Sequence, residues 1–237
     1  MGRLASDPEQ WVLYGIPTPE AANLNPPLEI LEASASVQSS LPSGYYSQPV
    51  HLILQAADAS AIHFTTDGST PGPLSPQYSS PLDFSQTTIV RARTLAQGKM
   101  PGPILTVSLL QDPPPSQLPS LSLVVDPELF FGDSLGIYSN VHKGREALVC
   151  LEYFNQDLNP IFQINAGAKI AGENIWRFAQ KPLTISLRGK YGNDLLAHQL
   201  FEDERVGSIS QFVLRNGGDN WDNAMIKDAM TPFLLRG

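Results

Sequence analysis

Seventeen of the 21 prolines lie before Ser120. Proline lacks the N–H that a strand ladder needs and breaks helix interiors, so the first half is confined to short strands and turns, while the second has room for longer elements. The boundary is Gln111-Asp-Pro-Pro-Pro-Ser-Gln-Leu-Pro119, whose consecutive prolines favour an extended, semi-rigid polyproline strut. A chain of 237 residues can bury one large core or two modest ones, and the composition break favours two. The expected organisation is a leader over 1–27, a strand-rich unit over 28–110, the linker over 111–119 and a second unit over 120–237.

Charge and sulfur narrow the function classes. The net charge is −8, with 4 basic against 9 acidic residues through Pro115 and 11 against 14 afterwards. Neither half has the basic excess that neutralising a phosphate backbone requires, so no nucleic-acid partner is expected. The single cysteine, Cys150, sits in the apolar run Ala147 to Phe154 and is expected to be a buried, inert thiol. With no cysteine pair and with His51, His63, His142 and His198 scattered, no metal site is expected. No apolar stretch approaches the roughly 20 residues that span a bilayer.

From Leu28 to Leu110 the hydrophobic period is two. Val50, Leu52 and Leu54 alternate with His51 and Ile53, Val90 and Ala92 with Arg91 and Arg93, and Leu105, Val107 and Leu109 with Thr106 and Ser108. Half-buried strands with Pro/Gly/Ser punctuation describe an antiparallel β-sandwich. Asp67-Gly68, closed by Pro71, supplies a positive-φ hairpin corner.

Two resemblances attach to this half. The ordered motifs Pro42 to Ser47, Phe64 to Pro71, Tyr78 to Pro81, Thr88 to Arg93 and Gly98 resemble the chitobiase/β-hexosaminidase C-terminal-type module. That likeness implies a fibronectin-like sandwich serving as an accessory or spacer domain of extracellular and cell-surface proteins. Tyr45, Tyr46 and Tyr78, read as exposed aromatics, would be the residues to stack on a sugar ring under the alternative of a non-catalytic adhesion or carbohydrate-binding protein. In the leader, Gly2-Arg3, the strand-like piece Gln10 to Tyr14 with Trp11-Val12, and Thr18-Pro19 through Asn23 resemble the closing strand and tail of a lamin-tail domain.

The second unit reads as α+β. Leu121 to Val125, Ala147 to Phe154, Ile161 to Ile170 and Leu183 to Leu187 read as strands, with a capped turn or short helix near Asp126 to Phe131. Asn193 to Phe201 reads as a turn and short helix, and Gln211 to Arg215 as a buried strand. Asp219 or Asn220 is placed to cap a helix running to Met230. In order, Leu118 to Leu121, Gly136 to Tyr138, Glu152 to Phe154, Ala166 to Gly172, Lys181 to Arg188 with Tyr191-Gly192, and Phe212 to Asp219 followed by Asp228 resemble the N-terminal part of the spore-coat CotH family.

That second resemblance implies a partial kinase-like domain, preceded by a sandwich, in a secreted or surface-bound bacterial protein. It implies ATP with Mg or Mn as cofactors of a full-length parent and a protein hydroxyl as acceptor. Phosphoryl transfer needs a cation on the phosphates, and Lys181, Lys169 and Arg188 are the candidates. Arg215, Asn216, Asp219 and Asp228 are either adjacent to the site or a structural corner, with Arg215 paired to Asp222 or Asp228. The family domain is longer than residues 120–237, so this chain is expected to be a fragment without a complete active site. Gly172-Glu-Asn-Ile-Trp-Arg177 and Gln180-Lys-Pro182 depart from the family pattern, the latter lacking one lysine.

Overall fold

A computed structural model describes the backbone of residues 2–4 and 7–12, together with residues 32–58, 60–97, 99–111, 113, 118–172, 179–198 and 208–216. The described chain is mostly β, with largely antiparallel sheets and two separate hydrophobic cores. At the N-terminus β1 (Gly2–Leu4) pairs antiparallel with β2 (Asp7–Val12), a ladder that starts earlier than the expected Gln10.

The first core is a sandwich. One layer is a four-stranded sheet ordered β4 (Gly44–Tyr45), β10 (Leu105–Leu110), β9 (Thr88–Leu95) and β7 (Ala61–Thr65), antiparallel except where β4 joins β10 in parallel. The facing strands form two ladders, β3 (Val37–Ser39) with β6 (Leu54–Ala56), and β5 (Val50–Leu52) with β8 (Leu82–Phe84). The run from Val50 to Leu54 changes partner at Ile53, whose backbone N–H and C=O both bond to Ser40. Its parity survives the change, so Val50, Leu52 and Leu54 all enter the core beside Val90, Ala92, Val107 and Leu109. Leu52, Val90 and Leu109 are completely buried, each worth about 1.5–3 kcal/mol. Gly68 adopts φ +80°, as the hairpin corner requires, and Asp67 accepts the N–H and hydroxyl of Ser69.

The second core lies on one face of a five-stranded antiparallel sheet in chain order: β11 (Ser120–Val125), β12 (Ala147–Phe154), β13 (Pro160–Ile170), β14 (Leu183–Ser186) and β15 (Gln211–Leu214). Leu183, Ile185 and Leu187 are buried on this face, as their alternation predicts. Between β11 and β12, α1 (Pro127–Phe131) starts at Asp126, which accepts the Glu128 N–H, and sets Phe130 into the core. Two expectations change. β15 is an edge strand among the described residues, with Phe212 and Leu214 half-buried and Val213 outward. Residues 193–198 form no helix, because Asp194 takes the Gly189 N–H and Leu196 bridges to Ile209, which commits the segment to a turn and an extended pairing. The expected helix after Asp219 lies outside the described residues.

Half-burial is the larger correction. Arg91, Thr106 and Ser108 point away from the sandwich core, where solvent was expected, yet they are 7%, 7% and 0% exposed. The outer face of β9 and β10 is covered by the second unit.

Candidate functional site

The covering surface is the even-numbered face of β12. Val149 and Leu151 enter the second unit's own core, while Cys150, Glu152 and Phe154 face the sandwich. Glu152 is 1% exposed. Its carboxylate accepts the Ser43 hydroxyl at 2.5 Å, the Ser108 hydroxyl, and the Gln163 amide at 2.6 Å. Gln163 also donates to the Thr106 carbonyl at 2.9 Å, and the Ser108 N–H donates to the Ser43 hydroxyl at 2.9 Å. Both carboxylate oxygens are satisfied by neutral donors, two from the sandwich and one from the neighbouring strand β13.

Two further contacts flank this carboxylate. The Tyr45 ring packs edge-on against Phe154 with centroids 5.4 Å apart. At the other end, the Asp126 carboxylate that caps α1 takes the Thr70 N–H at 2.8 Å, so one side chain serves a helix of one unit and a turn of the other. Burial works against its ionisation, but the bonds from Thr70 and Glu128 and the charge of Arg91 hold Asp126 below the usual carboxylate range. Burial lowers the Arg91 guanidinium in turn, Asp126 opposing. Burial, reinforced by Glu152, pushes the Cys150 thiol up to about 12. Above Glu152 opens a groove of about 680 Å³, walled by Leu41, Val107, Phe154 and Phe162 from both units.

The uncovered end of the same outer face gathers cations around a second carboxylate. Glu146 accepts Arg188 at 3.2 Å, Lys190 at 3.0 Å and the Tyr191 hydroxyl. Burial alone would raise its pKa, but the bonds from Tyr191 and Lys190 and the charge of Arg188 hold it low. Gly167 of β13 leaves room for it, since a Cβ there would stand 2.4 Å from the Glu146 carboxyl carbon. Lys169 is exposed on the same sheet face, opposite Thr184 in register.

The three candidate cations are therefore not brought together. Lys169 and Arg188 share the outer face. Lys181 stands at the opposite, core-side rim, its ammonium 5.6 Å from the centre of the Tyr138 ring and its N–H donated to the Tyr138 hydroxyl at 3.2 Å. Strand alternation forces this split, because 181 shares parity with Leu183, Ile185 and Leu187, whereas 188 does not. Arg215 is exposed just past β15, and Asn216 donates to the Gln180 carbonyl at 2.6 Å, tying the strand end to the Lys181 turn. Asp219 and Asp228 lie outside the described residues, as does Asp222. Among the described residues no group of three or more His, Cys, Asp or Glu is placed to hold a metal, and no helix is long and apolar enough to cross a membrane.

The tyrosines are not the exposed platform that was expected. All three are half-buried; Tyr46 and Tyr78 pack on the sandwich core, and Tyr46 donates its hydroxyl to the Pro42 carbonyl at 2.6 Å. Tyr45 and Tyr46 do border a shallow recess of about 420 Å³ with Gln48 and His51, and His51 is paired with Asp83 at 2.6 Å.

Residues 41–106 match the family model of the chitobiase/beta-hexosaminidase C-terminal domain. The match covers β4 to the start of β10, which is the sandwich without its first strand and most of its last. No curated protein and no solved structure matches the chain. Within the matched stretch, Ser43 and Thr106 belong to the Glu152 seam, so the module's edge and face are used for contact with the second unit. Sequence reasoning placed Glu152 within the apolar run Ala147 to Phe154 but gave it no partner. It passed over Glu146 entirely, although Glu146 with Arg188, Lys190 and Tyr191 forms the densest charge cluster among the described residues.

Proposed function

We propose that this chain couples an accessory sandwich to the strand layer of a CotH-like kinase domain in a protein of the bacterial exterior or cell surface. In this reading the parent protein transfers phosphate from ATP to protein hydroxyls, and the sandwich holds the kinase-like layer in place. One observation carries it: the second unit is a five-stranded, fully antiparallel sheet in chain order, with one lysine, Lys181, at the rim of its core face beside an aromatic cluster. A single ammonium set against an ordered wall is the kind of group that neutralises a phosphate. Lys169 and Arg188, on the outer face, are then surface cations rather than phosphate ligands. ATP with Mg or Mn would supply the phosphoryl group and its charge neutralisation. The described residues contain no cluster for the metal, so no step through it is assigned to them. The chitobiase-type match and the lamin-tail resemblance of the leader support the extracellular placement.

Labelled ATP with Mg or Mn, offered to the 237-residue chain and to a C-terminally extended form, tests this reading. Transfer that appears with the extension and is lost in Lys181→Ala but kept in Arg188→Ala supports it. An extended form without transfer, or transfer indifferent to Lys181→Ala, rejects it.

A second reading, carbohydrate binding by the sandwich, is favoured by the recess beside Tyr45 and Tyr46. Glycan-array binding that disappears in Tyr46→Ala would establish it, and an array without signal would remove it.

A further inference from the structure

We propose that the relative orientation of the two units is set by a permanent polar interface centred on Glu152, and not by the proline linker. The interface is specific in the chemical sense. Ser43 and Ser108 of the sandwich, together with Gln163 of the sheet, saturate a carboxylate that is 1% exposed, and Asp126 reaches back to the Thr70 N–H. A buried carboxylate with one donor removed loses far more than an ordinary hydrogen bond contributes, so sliding or swinging one unit over the other is opposed at once by several orphaned groups. The packing points the same way: Phe154 is fully buried under Tyr45, and Gly68 comes so near the other unit that an added Cβ would stand 3.4 Å from the Val125 carbonyl oxygen. By contrast, a Pro-rich tether by itself fixes reach but leaves rotation open. The sandwich is thus a docking module for this particular sheet, because the hydroxyl protons at 43 and 108 are both donated to the one carboxylate that stands opposite them. This inference does not depend on the kinase reading, since it concerns only how the halves are joined.

The test uses the full chain. Spin labels at Leu74→Cys, 100% exposed on the sandwich, and Leu195→Cys, 56% exposed on the second unit, report the distance between the units. Cys150, 6% exposed, stays unlabelled under the native state. A narrow distance distribution is expected, and four Gly-Ser residues inserted after Pro115 should leave it unchanged. Glu152→Ala should broaden it and make Cys150 react with a thiol reagent roughly tenfold faster, while Glu152→Gln, which keeps one acceptor oxygen, should lie between. A broad distribution in the unmodified chain overturns the proposal. So does a distribution that widens with the linker insertion, whether or not Glu152→Ala leaves a folded protein.

Discussion

Two glutamates stand on the same face of the same sheet, and the protein treats them in opposite ways. Glu152 is sealed under the sandwich and bound only by hydroxyls and an amide, whereas Glu146, with 15% of its side chain exposed, is bound by Arg188, Lys190 and a tyrosine hydroxyl. Neutral donors solvate a buried carboxylate without adding a second desolvated charge, which suits a permanent joint. Cationic partners in partial contact with water give a softer, salt-sensitive arrangement. One end of the face is therefore built to stay closed, and the other to stay open.

The comparison fails outright if the two carboxylates respond alike to removal. Glu152→Ala should cost about 3 kcal/mol in urea unfolding, since it strands two hydroxyl protons and one N–H of the Gln163 amide, and an effect below that of Glu146→Ala would reverse the argument. Gly167→Ala should cost about 1 kcal/mol by driving its Cβ into the Glu146 carboxyl group. Added to Glu146→Ala the same change should cost almost nothing further, so a double-mutant cycle checks the contact. Glu146 also predicts an acid limb. Its folded pKa is depressed, so its contribution is complete above the ordinary carboxylate pKa and is lost as pH falls through the folded value. Glu146→Gln should flatten that limb by about 0.5 kcal/mol in melts recorded from neutral pH downward. Smallest of all, Arg188→Ala should change stability by less than about 0.5 kcal/mol, because its guanidinium is half exposed and Lys190 remains on Glu146; added salt should erase even that difference.

How much of this was legible depended on the range of the interaction. The strands of β9, β10, β12, β13 and β14 and the Gly68 corner follow from period and local turn chemistry, and the structure has them at or within a few residues of their expected positions. Arg91, Thr106 and Ser108 were misread as solvated because a period of two reveals which residues share a face but not what covers the other one. Ser43 meets Glu152 across 109 positions and Ser108 across 44, and no local pattern encodes such a meeting. A signal did exist: β12 is apolar on both faces except at Glu152, and a strand buried on both sides needs cover on both. The split of Lys181 from Lys169 and Arg188 was likewise available from parity alone, once β14 was fixed by Leu183, Ile185 and Leu187.

Cys150 carries a last consequence. It is the chain's sole sulfhydryl, enclosed by the seam, and burial pushes its thiol up to about 12, which disfavours the reactive thiolate at neutral pH. An oxidising exterior would ordinarily turn an unpaired cysteine into a cross-link between molecules. Enclosure in the joint between the two halves withholds Cys150 from that reaction, so a disulfide-linked dimer is expected only where the joint opens.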